Sequence, residues 1–98
     1  KISFKKLVDL LCINPCKIFG IKDRGVIKEG YFADLTIYNL NKKYEIKNDW
    51  IASNCGWTAF DGLVLDLSPF GTLINGNVVV WDNKIQNNVK YGKPLNFN

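Results

Sequence analysis

The sequence contains no histidine and no methionine, and only three cysteines and three prolines, in 98 residues. Without imidazole it has neither the commonest general base nor the commonest neutral metal ligand. Ser53 and Ser68 therefore have no histidine to activate them, and neither sits in a Gly-x-Ser-x-Gly elbow, which argues against familiar nucleophilic catalysis. Cys12, Cys16 and Cys55 are too few and too unevenly spaced for a disulfide framework, which agrees with a reducing compartment. As metal ligands they give a Cys-x-x-x-Cys with a distant third member and nothing to complete a tetrahedron, and Cys12 reads instead as a small apolar residue of a helix. No catalytic, cofactor-binding or metal-binding residue is assigned to this chain. No apolar run approaches the roughly 18 residues that span a bilayer, and Lys1 to Lys6 is not followed by a signal-type cleavage pattern. The expectation is a soluble cytoplasmic chain with no membrane partner.

What is present describes one small globular domain: 47% apolar and 22% charged residues, too hydrophobic for a disordered chain and too short for two cores. The net charge of +4 is dispersed. Its densest run, Lys42, Lys43 and Lys47, flanks an expected turn and reads as a solvated surface rather than a phosphate-binding patch. Asp34, Asp61, Asp66 and Asp82 read as turn or surface carboxylates, since no spacing brings two of them to one site. Gly20, Gly25 and Gly30 do not follow a strand and open a helix, as a phosphate-cradling loop requires. Trp50, Trp57 and Trp81 with a mild positive charge admit a small nucleic-acid-binding barrel, but no arginine-rich face supports it, and rings that fill a small core are the preferred reading.

Along the chain, Ser3 is a candidate N-cap for a helix whose Phe4, Leu7, Val8 and Leu11 repeat at i, i+3, i+4, i+7 and ask for a partner on one face. The pattern is expected to stop at Asn14-Pro15, with Asn14 capping a second short helix that ends at Gly20. Val26 and Ile27, between Gly25 and Gly30, read as a short strand. Ala33, Leu35 and Ile37 alternate with Asp34, Thr36 and Tyr38 as a strand with one covered face, Asn39 to Lys43 turns, and Tyr44 with Ile46 returns. A loop from Ser53 to Gly62 carries Trp57 and Phe60, and Leu63, Val64, Leu65 and Leu67 lead toward Pro69 and Gly71. Asn75-Gly76 between Thr72 to Ile74 and Val78 to Trp81 predicts a hairpin with a type I′ turn, and Asp82-Asn83 a second turn before Ile85. Tyr91, Leu95 and Phe97 are candidate anchors of a polar tail from Gln86 to Asn98.

Three strings carry a resemblance to a known family. Asn14 to Gly20 (NPCKIFG), Gly25 to Gly30 (GVIKEG) and Ala33-Asp34-Leu35 resemble the junction at which amidohydrolase-superfamily enzymes leave their barrel and enter a small β-domain. Asn54 to Gly62 (NCGWTAFDG), Thr72 to Val79 (TLINGNVV) and Gly92 to Leu95 (GKPL) are similar to the C-terminal end of class I dihydroorotase-like members, so the resemblance runs over nearly the whole chain. Ala59 stands where the family usually has proline, and Phe32 where an acidic or polar residue is more usual.

The resemblance implies a mainly β fold with N-terminal helices, a partial β-sandwich preceded by the last helix segment of a (β/α)8 barrel that is otherwise absent. Residues 1–24 would be the late barrel helix and a linking helix, and 25–98 the C-terminal portion of the sandwich with its tail. A barrel takes about 250 residues and cannot fit in this chain. In the family that barrel holds the zinc, through a His-x-His pair, further histidines and a modified lysine, and metal-bound hydroxide attacks the cyclic amide in pyrimidine synthesis. None of those motifs occurs here. The chain alone is therefore expected to be scaffolding, inactive and free of zinc. Its expected partner is the missing barrel portion or another copy of itself through unpaired strand edges. The alternatives are a stand-alone remnant or interaction module without hydrolase activity, and the small basic nucleic-acid-binding barrel.

Overall fold

The computed structural model describes residues 1–86 and 91–98. Helix α1 (Phe4–Val8) begins where expected, the Ser3 hydroxyl accepting the Lys6 N–H at 3.2 Å. The helical path does not stop at Asn14-Pro15. It widens into a π-helical turn over Asp9–Ile13, in which the Asn14 N–H reaches back to the Asp9 carbonyl, and continues as α2 (Asn14–Phe19). Asn14 has helical dihedrals and caps nothing, which corrects the expected break. The physical reason is local: Pro15 offers no N–H, and its ring would strike a carbonyl one α-turn back, so a widened turn ahead of it makes room. Gly20 ends α2 in the left-handed conformation at φ 63°, as its position predicts.

Residues 20–34 form a loop. The strand expected at Val26 and Ile27 is absent: Gly25 and Gly30 both have positive φ, Tyr31 N–H closes a turn on the Lys28 carbonyl, and Ile27 is 90% exposed. Positive φ at both ends turns the chain out of the extended path a ladder needs.

The main sheet is four-stranded and antiparallel, in the order β1 (Leu35–Asn39), β4 (Ser68–Ile74), β5 (Asn77–Trp81), β6 (Lys84–Ile85). Both expected tight turns are present, Asn75 and Gly76 at φ 50° and 78°, and Asp82 and Asn83 at 48° and 60°. The Phe70 and Trp81 rings meet edge to face at 4.8 Å, with Trp81 paired opposite Gly71, where no side chain competes for the space. The returning strand is differently placed from the expectation. β2 (Tyr44–Glu45) does not pair with β1 but with β3 (Val64–Leu65), as a separate two-stranded ladder. An Asn39 side chain that accepts the Asn41 N–H at 2.9 Å steers the chain off the sheet after β1, whose neighbour is the seven-residue β4.

The fold is thus a small mixed α/β unit built on an antiparallel sheet. The tail returns to the helices: Ile21 bridges Phe97, Lys22 N–H donates to the Asn96 carbonyl, and Asn98 N–H to that of Gly20, each at 2.9 Å. Leu95 stays exposed, and residues 87–90 of the expected tail lie outside the described residues. No helix is long and apolar enough to cross a membrane among the described residues. The core is thin. Among the described residues no apolar side chain is fully buried, and the accessible surface is 7969 Å². A folded monomer of this mass exposes about 5,700 Å², so roughly 2,300 Å² more is in contact with solvent than its size calls for. The radius of gyration, 15.3 Å, likewise exceeds the roughly 13 Å of a compact chain of this length.

Candidate functional site

The dominant surface feature is a groove of about 900 Å³ between the helical run and the strands. Phe4, Leu7, Val8 and Leu11, the stripe legible in the sequence, form one wall, and β1 with Tyr44, Trp50 and Leu65 forms the other. The groove is apolar because the helix turns its periodic face inward while the loop at 24–27 and the strands supply further aliphatic and aromatic residues.

Among the described residues, the only charged ones bordering the groove are Arg24 and Asp34, and they pair with each other. Arg24 is held by that carboxylate and by the Phe32 ring, 4.2 Å from its guanidinium carbon. Its Nε is buried and has no acceptor among the described residues. The second Asp34 oxygen accepts the Asn75 N–H at 2.7 Å, and the Ala33 carbonyl accepts the Gly76 N–H at 3.0 Å. Asp34 therefore joins three segments, the loop after α2, the start of β1 and the tight turn of the β4–β5 hairpin. In the sequence it reads as a turn or surface carboxylate, and spacing gives no sign of a partner 41 residues away.

The other aspartates are not gathered with it. Asp61 accepts the Asn48 N–H, while Asn48 accepts the Thr58 N–H, both at 2.8 Å, so this pair clamps the 48–61 loop. Asp66 is exposed and Asp82 occupies a turn. Lys42 and Lys43 are solvated, and Lys47 lies 3.6 Å from Glu45. Ser68 is buried, donating to the Pro69 carbonyl at 3.2 Å, and Ser53 is exposed beside Cys55. Trp50, Trp57 and Trp81 remain half or more exposed, or nearly so, rather than filling a core.

Cys12 and Cys16 lie on the helical run and Cys55 in the distant loop, and among the described residues no three His, Cys, Asp or Glu side chains converge as a metal would need. This donor set does not fit the zinc centre associated with the resemblance. Cys55 has a chemical feature of its own: the Ser53 hydroxyl at 3.0 Å, followed by the Trp57 backbone, holds its thiol below the ordinary value. Burial pushes the Tyr44 phenol up.

Comparison with known proteins agrees with this architecture. The family model described as the amidohydrolase family matches residues 1–79. The dihydroorotase of Archaeoglobus fulgidus is 44% identical over 61 residues, covering 62% of this chain and 15% of that protein. The dihydroorotase of Pyrococcus furiosus is 33% identical over 93 residues, covering 95% of this chain and 21% of that protein. The L-hydantoinase (dihydropyrimidinase) from Arthrobacter aurescens superposes with a TM-score of 0.85 at 26% identity, over 96% of this chain and 21% of that one. The chain thus spans about a fifth, or less, of the length of these proteins. With the family match running through the helices, the Arg24 to Asp34 junction and the hairpin, this chain belongs to the amidohydrolase family.

Proposed function

We propose that the chain is the C-terminal, non-catalytic portion of a dihydroorotase-like amidohydrolase, which in its entirety hydrolyses a cyclic amide in pyrimidine synthesis. In this reading residues 1–24 are the helix and link on the barrel side, and 25–98 are the C-terminal share of a β-sandwich. Their role is to brace a metal centre assembled by other parts of the polypeptide. The observation that carries the reading is a family match over residues 1–79 in a chain with no histidine. The surplus of exposed surface and the one-sided helix support it, since both are what a portion of a larger packed unit presents.

A chimera tests it. The Pyrococcus furiosus dihydroorotase, with the segment matching this chain replaced by residues 1–98, should hydrolyse dihydroorotate, whereas the 98-residue chain alone, supplied with zinc, should show no turnover. A folded but inactive chimera, or turnover by the chain alone, would overturn the reading.

A further inference from the structure

We propose that Asn75 is a modification site of this chain, where the Asn75-Gly76 peptide deamidates spontaneously, and that contacts from Ala33 and Asp34 hold the reaction back in the folded state. Asn75-Gly76 is the one Asn-Gly pair in the sequence. The chemistry needs water and no other co-reactant. The Gly76 amide nitrogen gives up its proton and attacks the side-chain carbonyl carbon of Asn75. A C–N bond forms, and the side-chain nitrogen leaves as ammonia, carrying that proton away. The five-membered imide that results takes up water at either of its two carbonyls and opens to aspartate or isoaspartate. Glycine favours the attack because no Cβ shields its nitrogen. Every other asparagine with a residue after it is followed by one with a side chain, or by Pro15, which has no N–H.

The site is open to water and closed by hydrogen bonds. Gly76 is exposed, a Cβ there would meet nothing within 4 Å, and the turn borders an open hollow of about 280 Å³ that it shares with Gly30 to Ala33. Both polar ends of the Asn75-Gly76 peptide are nevertheless pinned: its N–H donates to the Ala33 carbonyl at 3.0 Å, and its carbonyl accepts the Asn77 side-chain amide at 3.0 Å. One peptide earlier, the Asn75 N–H donates to Asp34, which Arg24 holds in place. Attack requires the Gly76 nitrogen to swing onto the Asn75 side chain, so these bonds must open first, and the rate in the folded chain is that of the free peptide scaled by the fraction open. Either product adds a negative charge at the residue whose N–H Asp34 already accepts, and isoaspartate adds a backbone carbon to a turn whose length sets the hairpin register. Every contact lies within the chain, so this inference does not rest on the proposed function.

Incubation of the 98-residue chain in mildly alkaline buffer, with and without guanidinium chloride, tests it. Samples taken over time are digested in acid, and the peptide carrying Asn75 is weighed by mass spectrometry. Exchange of amide for carboxylate changes its mass, whereas isomerisation at Asp61-Gly62 does not and so stays out of the reading. In denaturant Asn75 should deamidate faster than any other asparagine. Without denaturant it should react at least about tenfold more slowly, since more than one hydrogen bond must open first. Asp34→Ala removes the acceptor of the Asn75 N–H and should speed the reaction in the folded chain by about threefold or more, with circular dichroism as the check on folding. Asp66→Ala, at an exposed position, should leave the rate unchanged. Equal rates with and without denaturant, another asparagine ahead of Asn75 in denaturant, or a folded Asp34→Ala variant no faster than Asp66→Ala would overturn it. Should Asp34→Ala unfold the chain, the comparison with and without denaturant decides alone.

Discussion

The Asp34 carboxylate accepts the Asn75 N–H at 2.7 Å across 41 positions of sequence, while its other oxygen faces the Arg24 guanidinium. Asp34→Asn keeps an acceptor for Asn75 but loses the charge, whereas Asp34→Ala loses both and leaves Arg24, only 12% exposed, without its counter-charge. With Asp34 itself 38% exposed, the ion pair is discounted for solvent. Asp34→Ala should then lower the unfolding free energy by about 2 kcal/mol and Asp34→Asn by about half of that, read from urea titrations. Equal losses in the two variants would mean that the hydrogen bond to the hairpin turn contributes nothing.

Gly25 and Gly30 have similar backbones, φ 90° and 83°, and different surroundings. A methyl group on Gly25 would come within 2.7 Å of the Cys16 sulfur and 2.8 Å of the Cys12 carbonyl, whereas one on Gly30 would meet nothing within 4 Å. Gly30→Ala should cost about 1–2 kcal/mol from backbone strain alone, and Gly25→Ala about 3 kcal/mol or more, because contact is added to strain. Thermal unfolding of the two variants side by side separates the terms, and equal costs would refute the crowding at Gly25.

Cys55 is fully exposed, and the Ser53 hydroxyl is the first cause of its lowered pKa. A lowered value means that thiolate forms at a lower pH than in an ordinary thiol, so alkylation of Cys55 by iodoacetamide should rise with pH earlier than for free cysteine. Ser53→Ala removes the hydroxyl and should move that rise to higher pH. Mass spectrometry of the peptide that carries Cys55, quenched at timed intervals across pH, gives both profiles. Coincident profiles would show that the hydroxyl has no influence.

Gly71 faces Trp81 across the β4–β5 ladder, and an added methyl would lie 3.2 Å from the indole ring and 3.3 Å from the Val80 carbonyl. Gly71→Ala should push the indole away from Phe70, weakening the near-ultraviolet circular dichroism of that pair at a cost of about 1 kcal/mol. An unchanged spectrum would show that the ring already has room to move.

What could be read from the sequence was local. Ser3, Gly20, Asn75-Gly76 and Asp82-Asn83 act through their own dihedrals or a partner three residues away, and each appears where its chemistry placed it. The stripe of Phe4, Leu7, Val8 and Leu11, read as one helix face in want of a partner, borders the groove and stays exposed there. Pairing over distance was not legible. Nothing near Tyr44 distinguishes Leu35 from Val64 as the neighbouring strand, because both are apolar and β-prone, and the choice is made by how the intervening turn leaves the sheet. Val26 and Ile27 carry strand-forming side chains between two glycines whose positive φ overrides them. The Arg24, Asp34 and Asn75 junction was hidden for the same reason of distance, although the family strings that contain Arg24's neighbour Gly25 and Asp34 itself were recognisable one by one.

The π-helical turn at Asp9–Ile13 holds one residue more than regular winding would, since the Asn14 N–H closes on the Asp9 carbonyl five positions back. Each α-helical residue advances the helix by about 100°, so the same extra residue in regular winding would swing Phe4, Leu7 and Val8 away from the strands they face. Taken up in the wide turn, it leaves the helices on either side in phase. Deleting one of the five should therefore restore regular winding with the hydrophobic stripe still aimed at the groove, like a slack link removed from a chain.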